Sequence, residues 1–199
     1  MRPAPGFGWT DEAAMRAFVA EQSFAQIVCV NDARPVVGHA PLSLAADGGV
    51  RFHLARTHPL AGQHDGAAVL ATVIGPHGYV SPDWYGTPDQ VPTWNYVLVE
   101  ISGTLRRLEP AELRRQVDDL SAAQEARLAP KPAWTSAKMD PRVLTLMLRG
   151  IVGFAIDAPV FRGIRKLGQN KQPTETAGAI AALRSRGAHA IADAMERAR

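Results

Sequence analysis

Apolar residues recur along this chain with two different periods, and the changes of period divide it into elements. Met15, Phe18 and Val19 lie three or four positions apart behind a polar, proline-punctuated opening. That spacing predicts a helix capped by Thr10, with Asp11 and Glu12 in its first turn. From Phe24 the period becomes two. FAQIVCV, PVVGHAPLSL and GVRFHLA read as strands separated by NDAR and AADGG, with Asp47-Gly48 as a hairpin turn, and together they predict an antiparallel meander. THPLAGQ has room for one or two helical turns, and AAVLATVIG reads as a further buried strand. Thr93 to Leu108 alternates as one long strand in which Gly103 predicts a bulge or bend.

The second half turns more helical. Glu109 to Leu128 opens with Pro110 in its first turn and sets Leu113, Val117, Leu120 and Ala123 on one side. A proline-containing connector around Trp134 leads to a short helix from Asp140 to Arg149, with Pro141 first and Gly150 ending it. GIVGFAIDAPVF reads as another strand, RGIRKLGQN as its return partner, and Thr174 to Arg197 as alanine-rich helix broken at Gly187. About six antiparallel strands closed by a few helices predict an α+β, mainly β architecture: a small barrel with helices packed on it.

Composition sharpens this picture in a few places. At 199 residues the simplest reading is one domain over residues 1–199 with a C-terminal helical extension, two small domains being the alternative. The apolar runs are strand-sized, far short of the roughly 20 residues that span a bilayer. The opening MRPAPGFGWTDEAAM has no signal-peptide apolar core, and the single cysteine, Cys29, lies in an apolar run as a buried thiol would. A cytoplasmic protein with no membrane partner is the expectation. The formal charge of +3 and pI near 9.3 suit an anionic cofactor or nucleic acid without selecting either. Most of the arginines read as a solvated helix surface.

Candidate chemistry is concentrated in two segments. Gly75 to Tyr96, GPHGYVSPDWYGTPDQVPTWNY, holds two of the four tryptophans, all three tyrosines and four prolines, a density that predicts a stiff aromatic loop walling a flat ligand. In FHLARTHPL, Arg56, Thr57 and His58 directly follow a strand, where a guanidinium fork, a hydroxyl and an imidazole can converge on a phosphate. A surface ion pair is the plainer reading of Arg56. Six histidines and one cysteine form no metal-ligand spacing, no glycine-rich phosphate loop is present, and no serine sits in a nucleophile elbow. Metal and hydrolase chemistry therefore have no candidate, and no catalytic residue is assigned.

FHLARTHPL, GPHGYVSPDWY, VPTWNY, GIVGF and KLGQNK, in this order and spacing, resemble the PaiB family, the FMN-binding negative transcriptional regulators of split-barrel fold. The resemblance runs from the PxF near the start to KLGQNK. Two positions depart from the family pattern: Gly168 stands where a serine is usual, and Gln124 where a histidine often precedes the glutamate. The resemblance implies FMN as cofactor, with its phosphate held by His39 and Ser43 on one strand and by Arg56, Thr57 and His58 after another. A core histidine is the alternative for His39. It implies the isoalloxazine ring against His77, Tyr79, Trp94 and Asn95, and closure by Lys166, Gln169 and Asn170, for which a surface turn is the duller explanation. Trp94 reads equally as an interface anchor, and both readings agree with a homodimer carrying flavin at its interface.

Three functions remain open to this sequence. The family implies transcriptional regulation and hence DNA as a partner, yet no helix pair has the short-turn spacing of a major-groove reader. A flavin-dependent oxidoreductase or flavin reductase taking hydride from NAD(P)H is the alternative. A heme-handling split barrel ranks last, because no histidine stands out as an axial ligand.

Overall fold

The computed structural model describes residues 6–199. Pro5, which opens the PxF of the resemblance, lies outside them. Two compact units divide the chain. One holds the residues up to Met15 with Val73–Glu100 and Arg162–Arg199, the other Arg16–Thr72 with Ile101–Phe161. The elements in chain order are β1 (Gly8–Trp9), α1 (Glu12–Gln22), β2 (Phe24–Asn31), β3 (Arg34–Pro41), β4 (Ser43–Leu44), β5 (Val50–Ala55), β6 (Ala68–Val80) and β7 (Thr93–Arg107). They continue with α2 (Pro110–Ala126), α3 (Pro141–Arg149), β8 (Ile151–Lys166), α4 (Pro173–Ser185) and α5 (His189–Glu196). Eight strands form the antiparallel sheet, two more than the alternation suggested, in the hydrogen-bonded order β3-β2-β6-β7-β8-β5-β4 with β1 pairing to β8.

In the unit containing β2 to β5, alternation does what the sequence pattern asks. Ala25, Ile27 and Cys29 of β2 and Val50, Phe52 and Leu54 of β5 are buried, while Phe24, Gln26 and Val30 face outward. Phe52 and Phe154 stack with centroids 5.5 Å apart. Each contributes roughly 1.5 to 3 kcal/mol by leaving water. β8 departs from alternation because α2 covers its second face. Gly153, Phe154, Ala155 and Ile156 are all buried, and Ala155 packs with Leu108 and Leu113. Glu109 caps α2 in a reciprocal box with Glu112, and Asp140 caps α3 by accepting from the amides of Arg142 and Val143. Near the far end of α2, Gln124 donates to the Ser23 hydroxyl at 3.0 Å, and Arg127 donates to the Glu21 carbonyl at 2.8 Å, which holds the end of α1. The departure from the family at Gln124 thus has a local structural use.

In the other unit, α4 and α5 bury Ile180, Leu183, Ile191 and Met195. Gly178 lies directly on the backbone of the turn at Pro82–Tyr85. A Cβ there would stand 2.4 Å from the Trp84 carbonyl oxygen. Gly187, with φ +78°, separates the two helices where the sequence predicts a break.

Several expectations are corrected. The meander is interrupted once: the hairpins β2–β3 and β4–β5 form, the second turning at Asp47-Gly48, but β3 does not pair with β5; β2 pairs also with β6, and β5 with β8. Pro41 lacks an amide hydrogen, ends the β3 ladder opposite Phe24, and lets the chain leave that pairing before β4. The aromatic stretch is not one loop, because β6 continues through Tyr79 to Val80 and β7 begins at Thr93. RGIRKLGQN is no return strand. Its first residues continue β8, where Gly163 packs against Trp9 and Met15 instead of turning. β7 is the single long strand expected from the alternation, and it runs through Gly103. A Cβ there would come 2.6 Å from Ile156 Cγ2, so a close approach requires the glycine. Asp11, rather than Thr10, accepts from the Ala14 amide at the start of α1.

Candidate functional site

The phosphate candidates lie in the unit of Arg16–Thr72 and Ile101–Phe161. Arg56 follows β5 in an exposed turn and donates from Nε to the Arg149 carbonyl at 2.7 Å and from an Nη to the Ile151 carbonyl at 3.1 Å. It forms no ion pair with a described residue. It clamps the turn between α3 and β8 and keeps three of its five N–H donors unused. Thr57 is exposed beside it. His58 caps the 3-10 turn Pro59–Gly62, its Nδ1 accepting from the Leu60 amide at 3.1 Å, so its proton lies on Nε2. The His58 ring stands against the inner face of β3, 3.2 Å from where a Cβ on Gly38 would be.

His39 alternates to the opposite face of β3. It is exposed and stacked on Phe24 with centroids 6.4 Å apart, which replaces the expected alternative of a core histidine. Ser43 pairs with Arg51, and its hydroxyl donates to that residue's carbonyl at 3.4 Å.

The aromatic candidates lie in the other unit. Period-two alternation sets His77 and Tyr79 on one face of β6 and sends Val80 into the core. Trp94 of β7 joins them: its indole N–H donates to His77 Nδ1 at 3.3 Å, and Tyr79 meets its ring edge-on at 6.3 Å. Tyr79 is 46% and Trp94 50% exposed, so two large rings held by strands present open surface. Asn95 faces the other way. It is 1% exposed and its Nδ2 donates to Met195 Sδ at 3.4 Å, which ties β7 to α5.

Lys166 donates to the Thr93 hydroxyl, beside Trp94. Gln169 closes its own turn, accepting from the Leu167 amide at 2.7 Å and donating to the Arg165 carbonyl. Asn170 is exposed on the same turn. Gly168 has φ +85° and is buried, the left-handed conformation that a serine at this position would hold under strain.

The stretch between Val80 and Thr93 is fastened to α4. Thr87 donates to Glu175 at 2.6 Å, Lys171 donates to Gln90, and the Lys171 ammonium sits 5.1 Å from the centroid of Tyr85. The Thr87 hydroxyl and then the Gln172 amide hold the Glu175 carboxyl below its ordinary range, while burial, helped by Glu175, pushes the Tyr85 phenol up. Burial likewise raises the Cys29 thiol, leaving it a poor nucleophile. Thr93, Arg149 and Glu175 were missed in the sequence. Only Glu175 carried a signal, standing three residues after Gln172 in a capping box before an alanine-rich helix.

Residues 1–159 match the family model described as "Putative FMN-binding domain". The chain is 31% identical over 172 residues to the Protease synthase and sporulation protein PAI 2 of Bacillus subtilis, covering 84% of this chain and 82% of that protein. Among solved structures it resembles a FAD and heme binding protein from Mycobacterium smegmatis, with a TM-score of 0.59 at 17% identity over 80% of this chain and 73% of that one. It also resembles a flavocytochrome from Azotobacter vinelandii, with a TM-score of 0.53 at 16% identity over 83% and 72% of the two chains. At such identities the structural likeness speaks for the fold. The matched domain, together with the Bacillus relative, identifies this chain as a member of the PaiB family of FMN-binding split-barrel proteins.

Proposed function

We propose that the chain is a regulatory FMN protein acting as a homodimer, with Arg56, Thr57 and His58 of one unit as candidate phosphate contacts and Trp94 and Tyr79 of the other as candidate ring contacts, each unit taken by itself. The observation that carries the reading is the half-exposed Trp94–Tyr79 pair, fixed on two strands with His77 as its hydrogen-bonded third member. Covering rings that are already held costs little ordering entropy. The chemistry of the donors suits FMN as well. Arg56 has N–H groups to spare, and His58 Nε2–H and the Thr57 hydroxyl lie beside it in sequence. With His77 Nδ1 occupied as an acceptor, its Nε2–H is left to donate to an electron-rich ring edge. Bound FMN supplies one- and two-electron redox chemistry. Ser43 is proposed as an outer phosphate contact, and Lys166, Gln169 and Asn170 as the closing turn, whereas His39 faces the opposite side of β3 from His58 and is not part of that group.

A second copy is the proposed partner. Phe24, Val30, Val37 and Leu70 are exposed on the outer face of β2, β3 and β6, with Val28 opposite both Val37 and Leu70. The Val28–Val37–Leu70 row and Val30 form an apolar patch bordered by the polar row Gln26, His39 and Thr72, and such a patch suits an isologous contact. Regulation is supported by the Bacillus relative, whose name concerns protease synthesis and sporulation. Direct DNA binding draws little support from the helices, since Arg114 pairs with Asp118 and Arg184 with Asp193. A cytoplasmic location is proposed; no helix among the described residues is long and apolar enough to cross a membrane. Residues 1–199 are proposed to act as one domain with a C-terminal helical extension.

An NAD(P)H-dependent oxidoreductase is the second reading, favoured by the open aromatic surface, on which a nicotinamide could follow the flavin. Visible spectra of the purified chain with FMN, then with NADPH under anaerobic conditions, test both. Bound flavin that stays oxidised supports regulation, and bleaching by NADPH supports the oxidoreductase. Trp94→Ala is expected to weaken FMN binding by about tenfold. Failure of the parent chain to bind FMN refutes the proposal.

A further inference from the structure

A cavity of 370 Å³ lies wholly within the unit of Arg16–Thr72 and Ile101–Phe161, in the size range of small-molecule sites. Leu108, Leu113 and Val152 give it an apolar lining. Gly153 keeps that lining close: a Cβ there would stand 2.8 Å from Leu113 Cδ1 and 2.9 Å from Leu108 Cδ1. α3 adds Thr145 and Leu148. Arg56, Arg107 and Arg149 also line the cavity, and among the described residues no carboxylate does.

None of these three guanidinium groups forms an ion pair with a described residue, although the Arg107 amide donates to the Asp65 carboxylate at 2.6 Å. Arg56 donates to the Arg149 and Ile151 carbonyls, and Arg107 to the Gln63 carbonyl at 3.3 Å. A carbonyl accepts a hydrogen bond but neutralises no net charge. Arg149 offers a guanidinium that forms no ion pair with a described residue. Elsewhere the pattern is different: Arg106 lies between Glu112 and Asp157, and Arg114 against Asp118. Three arginines line an apolar chamber, and of these Arg56 and Arg149 have donors to spare, which suits an anion with an apolar body.

We propose that this cavity is a second ligand site, for a small amphipathic carboxylate whose apolar body lies on Leu108, Leu113 and Leu148 and whose head meets Arg149 and Arg56. Inorganic phosphate would satisfy the cations and leave the leucines uncovered. Each further buried methylene strengthens binding by about fourfold. The site shares Arg56 with the proposed FMN phosphate contact, but the cavity's chemistry does not depend on that contact.

Calorimetric titration of the full chain with octanoate, butyrate and inorganic phosphate, alongside a separate FMN titration, tests the proposal. Octanoate is expected to bind saturably, at least about 30-fold tighter than butyrate and more tightly than phosphate. Arg149→Gln should weaken octanoate about tenfold with FMN binding unchanged. Thr145→Glu, an exposed substitution that sets a carboxylate beside the head, should weaken octanoate as well. No saturable octanoate binding, phosphate binding as tightly as octanoate, or parental affinity in both variants overturns the proposal. Octanoate binding in a chain that takes up no FMN would refute the flavin reading and leave this site standing.

Discussion

Arg56→Ala removes a backbone clamp and a proposed phosphate contact together, and the two losses have different sizes and different readouts. The clamp consists of hydrogen bonds of 2.7 and 3.1 Å to the carbonyls of Arg149 and Ile151. Each is exposed and contributes on the order of 1 kcal/mol net, so the FMN-free chain should lose about 2 kcal/mol. For a chain of this size that lowers Tm by about 4 to 8 °C in a thermal melt. A charge-assisted phosphate contact contributes roughly a further 1.5 to 3 kcal/mol to binding, or about 10- to 150-fold in Kd by flavin fluorescence quenching. Arg56→Lys separates the two, because an ammonium keeps the charge without the planar fork: Tm should fall while much of the FMN affinity remains. An unchanged Tm in Arg56→Ala would refute the clamp. A lowered Tm with unchanged FMN affinity would remove Arg56 from the phosphate site and leave it as the brace between α3 and β8.

Two further outcomes follow from the packing and the charges. The Arg106 side chain and then the Glu109 amide hold the Glu112 carboxyl down to about 2, so its stabilising contribution is complete above its ordinary range near 4.5 and fades as pH falls toward 2. Glu112→Gln should cost about 2 kcal/mol at pH 7, discounted for the partly exposed Arg106. In urea unfolding its deficit should shrink steadily below pH 4.5, and a deficit equal at pH 7 and pH 3 would contradict this. Gly168→Ser, which restores the residue usual in the family, should destabilise the chain by about 1 to 2 kcal/mol, because φ there is +85°. A Tm equal to the parent's would show that the turn relaxes freely.

The sequence determined what depends on local period and local chemistry. β2, β5, β7, α2 and α3 fall where alternation, proline at the first helical turn and the capping residues place them. The aromatic and Arg-Thr-His segments were legible because unusual side chains are crowded into short stretches. Tertiary structure decided the partners. Whether β5 pairs with β3 or with β8 is a contest between ladders of distant residues, and nothing local to either strand encodes the result. The extension of β6 through Tyr79 and of β8 through Lys166 is supported by pairing and packing that no single-strand period contains. The direction in which a side chain points also depends on what covers each face. His39 and His58 look alike as phosphate candidates, yet β3 turns one outward onto Phe24 while the ring of the other packs against Gly38 on the inner face. Asn95 follows Trp94 directly, and the pleat that leaves one half-exposed to solvent buries the other against Met195.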